Sequence, residues 1–173
     1  MLVNEAVELI RTDVLVKPGI QTWADLGCGK GTFTSALADL LPQGSKIYAV
    51  DRNNSFLNKI PQSEDVKIEK LEKDFIKDNL PGNLDGILMA NSFHYVKDKD
   101  SFIKKIEKKF KSVALFLILE YDMDISNPWV PFPISFNSLK LFFKNEGYAS
   151  IKKLNERTSI YRRANIYSAL IKK

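Results

Sequence analysis

The sequence predicts an α/β fold in three layers: one mostly parallel sheet with helices packed on both faces. Three observations predict it. Short apolar runs alternate with helix-period segments five times along the 173 residues. The strongest run, Val113–Leu119, is apolar throughout, as a strand covered on both faces should be. The last two strand-like runs have no helix between them, so they pair antiparallel as a hairpin at one edge.

Each element has its own warrant. Residues 2–15 carry apolar side chains at helical spacing, with Glu5 early and Arg11 late. Lys17-Pro18-Gly19 breaks that segment, and 20–26 is a strand running into glycines. Thr32 can cap the next helix, whose face is Phe33, Leu37, Leu40 and Leu41, and Pro42-Gln43-Gly44 ends it. Residues 46–50 form a second strand closed by Asp51, and Asn53 or Asn54 caps a short helix to Ile60. A weak third strand covers 66–71, and a fourth covers 84–90 after the Pro81-Gly82-Asn83 turn. Asp100 or Ser101 caps a helix burying Phe102, Ile103, Ile106 and Phe110. The fifth strand, 113–119, leads through a proline-stiffened loop at 122–135 to a helix over 136–146 that ends at Gly147. Strands at 150–155 and 165–171 close the chain. Neither repeat nor linker divides it, so 1–173 reads as one domain: 1–19 an N-terminal helix and lid, 20–173 the sheet core.

Composition bounds the function. A single cysteine, Cys28, excludes an internal disulfide and a thiolate metal cluster, and points to a cytosolic compartment. No basic leader opens the chain, and the longest apolar run is too short to span a bilayer. A net charge of +5 permits a nucleic-acid partner without requiring one.

The stretch W-A-D-L-G-C-G-K-G-T-F carries the chemistry. Gly27, Gly29 and Gly31 alternate on a strand-to-helix turn, two residues after Asp25. Glycine there lets a ligand touch the backbone at the edge where open α/β sheets bind ligands. Dinucleotide sites use G-x-G-x-x-G, and Thr32 stands where that third glycine belongs. The spacing, with an acid inside the motif, favours a cationic ligand with an amino-acid tail over NAD. Asp51 ends the second strand where a carboxylate accepts from a ribose diol. Asp74 and Phe75 follow the third strand, an acid and an aromatic able to bracket adenine.

Taken together, D-L-G-C-G-K-G, Y-A-V-D, K-D-F and L-D-G-I-L-M-A-N resemble the class I S-adenosylmethionine-dependent methyltransferases. The resemblance covers nearly the whole chain. It implies a Rossmann-like seven-stranded sheet of order 3-2-1-4-5-7-6 with strand seven antiparallel. It also implies S-adenosyl-L-methionine as cofactor. By that resemblance Asp25, Gly27, Cys28, Gly29 and Gly31 hold the methionine part, Asp51 with Arg52 the ribose, and Asp74 with Phe75 the adenine; Asn91 faces the methyl group.

The acceptor side leaves alternatives open. His94, the only histidine, reads either as a general base or as a loop residue holding the cofactor turn. Tyr95 reads as packing or as acceptor contact. Glu120 and Tyr121 end the fifth strand at the ligand edge, where an acid can polarise an acceptor or simply face water. Trp129, with Phe132 and Phe136, either roofs an apolar pocket or anchors the proline-rich loop. Arg157 and Tyr161 lie between the last strands, placed to meet an anionic acceptor. Seven of the 15 residues from Lys97 to Lys111 are lysines, read as a solvated helix face over an RNA footprint. The leading expectation is methyl transfer to a small molecule. The alternatives are a minimal RNA or protein methyltransferase, a non-catalytic cofactor-binding module, and a dinucleotide oxidoreductase that Thr32 disfavours.

Overall fold

Five strands with crossover connections and a terminal hairpin make one sheet: β1 (Thr22–Leu26), β2 (Lys46–Asp51), β3 (Lys67–Glu72), β4 (Gly86–Ala90), β5 (Leu115–Tyr121), β6 (Ser150–Thr158) and β7 (Asn165–Lys172). The computed structural model describes residues 1–158 and 164–173. The sheet order is β3-β2-β1-β4-β5-β7-β6, with β7 antiparallel to both neighbours. The chain builds outward from β1 to β3, then returns to the other side of β1 with β4. That reversal opens a crevice at the carboxyl ends of β1 and β4, the place where such sheets receive ligands.

The helices are α1 (Val3–Ile10), α2 (Asp13–Val16), α3 (Thr32–Ala38), α4 (Asn54–Leu57), α5 (Lys99–Glu107) and α6 (Phe136–Asn145). Side chains alternate across each strand, so the sheet feeds two cores. Trp23, Ile47, Leu117 and Leu119 pack with α1 and α3 on one face. Ala24, Leu26, Ile87, Phe116 and Ile118 pack with α5 and α6 on the other. Gly86 leaves room for the Trp23 ring, since a Cβ there would fall 2.3 Å from it. The Trp23 indole donates to Gln21, which in turn donates to the Leu15 carbonyl and so holds α2.

Several local expectations shift. The predicted first helix is two helices, because Thr12 is extended at φ −158° and caps α2. Gly31, at φ +85°, takes the cap position before α3, and Thr32 opens the helix instead of capping it. The cap of α5 is Asp98, whose carboxylate accepts from the Ser101 N–H, in place of Asp100 or Ser101. β5 runs two residues later than expected, leaving Val113 exposed before it and carrying Glu120 inside it. β6 continues to Thr158, so Arg157 belongs to the strand and not to the connection after it. A 3₁₀ turn, Phe93–Tyr95, follows β4.

Candidate functional site

The glycine turn sits at the β1 edge of the crevice. Gly27, Gly29 and Gly31 all have positive φ, at 76°, 56° and 85°. Their surroundings differ. A Cβ on Gly27 would fall 2.6 Å from the Ser92 Cβ and 3.2 Å from the Phe75 ring, and one on Gly31 would fall 2.6 Å from Ile60. One on Gly29 would meet nothing within 4 Å. Two of the glycines therefore serve packing, and the middle one fronts open space. Asp51 ties this turn to β2: its carboxylate accepts from the Gly29 N–H at 2.9 Å and from the Asn53 N–H at 2.9 Å. A carboxylate has about four acceptor sites, so it retains capacity for a ligand hydroxyl. Arg52 beside it is exposed.

Asp25 lies deeper than the motif suggests. Strand alternation turns it toward the same face as Trp23, under α3, and it is fully buried. One oxygen accepts from the Thr34 hydroxyl at 2.6 Å; the other has no partner. Burial pushes its carboxyl up from 3.8 to about 7; the Thr34 hydrogen bond opposes the rise and the Asp51 charge adds to it. Cys28 is half-buried, and burial with the charges of Asp25 and Asp51 pushes its thiol far up, leaving an inert thiol.

Across the crevice, Asn91 follows β4 with φ 53°, a left-handed conformation uncommon for a residue with a side chain. Its Oδ1 is buried without a partner. Next to it, the Ser92 hydroxyl donates to the Leu26 carbonyl and pins the two strand ends together. Sequence reasoning passed over Ser92, because a lone serine after a strand carries no signal of its own. Phe75 packs its ring against Phe102 at 6.0 Å. Asp74 spends one carboxylate oxygen on the Ile76 and Lys77 N–H groups of its own turn.

At the carboxyl ends of β4 and β5, His94 and Glu120 come together. Both are buried, at 2% and 1% exposure. Nδ1 of His94 lies 2.7 Å from Glu120 Oε2, and the His94 backbone N–H donates to Oε1 at 3.0 Å. With Nδ1–H as the donor to the Glu120 carboxylate, the neutral tautomer of His94 carries its lone pair on Nε2. The Tyr95 ring packs on the imidazole at 4.3 Å and is half exposed; Tyr121 lies at 6.4 Å. The Phe132 N–H donates to the His94 carbonyl at 3.1 Å.

Other expected residues stand apart. Trp129 is 80% exposed. Its N–H and that of Val130 donate to the Asn127 side chain, a local turn. Phe136 anchors its segment against Tyr167 at 5.6 Å. Arg157 pairs with Glu5 of α1 at 3.3 Å, which ties the N-terminal helix to β6. Tyr161, with Arg162 and Arg163, lies outside the described residues. Lys105 donates to the carbonyls of Ile76 and Asp78, and Lys109 to Asn79, so those two lysines hold the loop after β3. Among the described residues no three His, Cys, Asp or Glu side chains converge as a metal ion would need, and no helix is long and apolar enough to cross a membrane.

The sheet order, the glycine turn and the strand-end acid define a class of protein that binds a nucleoside-bearing ligand at the β1–β4 crevice. Residues 24–113, just over half of the chain, match the sequence model of the methyltransferase domain. The chain belongs to that family, as an S-adenosylmethionine-dependent methyltransferase of class I. A methyltransferase structure from Aquifex aeolicus, described as SAM-dependent, is similar at 20% identity and TM-score 0.63, covering 99% of this chain and 98% of that one. One from Archaeoglobus fulgidus, also described as SAM-dependent, gives 17% identity and TM-score 0.69, covering 99% and 94%. The plantazolicin methyltransferase BpumL, solved with SAH, gives 12% and 0.66, covering 99% and 83%. No curated protein sequence matches the chain. The cofactor is S-adenosylmethionine, and the crevice fits it. Gly29 fronts open space, Asn91 offers a buried oxygen without a partner, and Asp51 has spare acceptor capacity.

Proposed function

We propose that this protein transfers a methyl group from S-adenosylmethionine to a small-molecule acceptor, with His94 as general base held by Glu120. The observation that carries this is the buried pair at 2.7 Å on the carboxyl edge of β4 and β5. Bound S-adenosylmethionine supplies a methyl group on a sulfonium, already electrophilic. The chain's residues then need only orient the acceptor and take its proton. Asp51 would accept from the ribose diol, the Gly27–Gly31 turn would admit the methionine portion, and Asn91 Oδ1 would accept from its ammonium. Phe75 would flank the adenine.

His94 Nε2 takes the acceptor's proton. The imidazolium so formed is paired with Glu120 and releases the proton to solvent. A base of this kind suits an O–H or N–H acceptor that is still protonated near neutral pH. We further read 1–173 as one cytosolic domain, in which α1 packs on α3 and β6 beside the site.

The test measures turnover and cofactor affinity separately in His94→Ala and Glu120→Gln, with an acceptor found by screening small molecules. Turnover should fall by ~10²–10⁴-fold in His94→Ala, with S-adenosylhomocysteine affinity unchanged. A fully active His94→Ala variant would remove the base from the mechanism.

A further inference from the structure

His94 is clamped at three points: its ring and backbone N–H by Glu120, and its backbone carbonyl by Phe132. The third clamp has its own support. Lys99, the first residue of α5, donates to the carbonyls of Val96 at 2.8 Å and Phe132 at 2.9 Å. Its ammonium lies over the Phe93 and Phe132 rings, at 5.2 and 5.9 Å from their centroids. Neither hydrogen bond goes to a carboxylate. Two carbonyls and two aromatic faces hold this half-buried ammonium in one place.

We propose that Lys99 is a positioning residue for His94: it ties the segment around Phe132 to the turn carrying the histidine, and its charge opposes that of Glu120 so that the imidazole stays neutral. The functional meaning rests on reading His94 as the base. A carboxylate alone at 2.7 Å favours the imidazolium, which cannot accept a proton. A cation tied to the same turn acts in the opposite sense. Burial holds the Lys99 ammonium below the usual lysine range while the Glu120 charge acts in the opposite direction, so the two charges feel each other. The titratable groups around the pair are Glu120 and Tyr121 on β5, Tyr95 on the turn, Lys99 on α5, and Tyr167 on β7, which is in register with Glu120. Tyr167 has its hydroxyl on the Ile134 carbonyl, and burial pushes it far up, so it stays neutral.

The chain has one histidine, so its titration can be followed by NMR on histidine-labelled protein with neither cofactor nor acceptor. Lys99→Met should raise the His94 midpoint by ~0.5–1 unit, less than the ~1–3 units of a charge in direct contact. It should also speed exchange of the Phe132 amide. Lys99→Gln keeps donors for the carbonyls but no charge, so the midpoint should rise while the amide stays protected. Lys99→Arg should leave the midpoint in place, and Glu120→Gln should lower it. Unchanged midpoints in both Lys99→Met and Lys99→Gln would overturn the proposal. If Lys99→Met does not fold, Lys99→Gln decides alone; unfolding of both would make Lys99 a structural tie and equally overturn it. A fully active His94→Ala variant would sink the base while leaving this coupling measurable, so the two failures are distinct.

Discussion

Asp25→Asn probes the acid beneath the glycine turn. The Asp25 carboxyl is fully buried, with one oxygen on Thr34 and the other alone. Its folded-state value near 7 lies above its ordinary 3.8. Between those two values the folded protein holds a proton that the unfolded chain has released, so stability falls as pH rises through that window. The loss is complete above the folded value and amounts to about 4 kcal/mol, at about 1.4 kcal/mol per pH unit. Between about pH 5 and about pH 8 the share lost is about 2–3 kcal/mol. Asparagine has the same shape and does not titrate. Its amide brings a constant cost, a buried N–H₂ facing the space of the unpartnered oxygen, and that cost cancels when two pH values are compared. Urea unfolding of both proteins at the two pH values is the assay. Relative to the parent, Asp25→Asn should gain about 2–3 kcal/mol on going from the lower pH to the higher. A difference that is the same at both pH values would refute the reasoning, because it would mean that Asp25 ionises in the folded chain as it does in the unfolded one. The result bears on the cofactor too. A buried acid that is neutral below about pH 7 offers little charge to a cationic ligand there.

Gly29→Ala should cost about 1–2 kcal/mol of stability from its left-handed backbone and abolish S-adenosylhomocysteine binding in calorimetry, because the added methyl enters space that is open in the free chain; undiminished affinity would show that this space is not the ligand's. Asp51→Ala should weaken the same binding by about 1–3 kcal/mol, and an unaltered affinity would remove the ribose from its role. Lys104→Gln with Lys108→Gln should leave turnover unchanged and RNA binding absent across a salt series; weaker, less salt-sensitive RNA binding in this variant would instead favour an RNA acceptor.

The alternation of strands and helices and the terminal hairpin were legible in the apolar pattern, while the strand order came only with the family resemblance and agrees with the sheet observed. The glycine turn was legible because backbone clearance leaves a spacing behind. The depth of Asp25 was readable in principle: it shares a face with Trp23, and a strand entering a three-layer core buries both faces. What could not be read is whatever depends on where distant segments meet. His94 and Glu120 were separate candidates, 26 residues apart, and they meet only because β4 and β5 lie in parallel register, with the Asn91 N–H on the Leu119 carbonyl. Lys99 was one lysine in a run of lysines; its contact to Phe132, 33 residues on, exists only once the loop after β5 folds back. Arg157 looked free because its strand looked shorter, and folding gave it to Glu5. The glycine turn is thus written in local spacing, while the His94–Glu120 pair is written in register. Substitutions in 122–135 away from Phe132 should therefore change which acceptor is taken more readily than they change the placement of His94, which the two strand ends and the Phe132 amide hold.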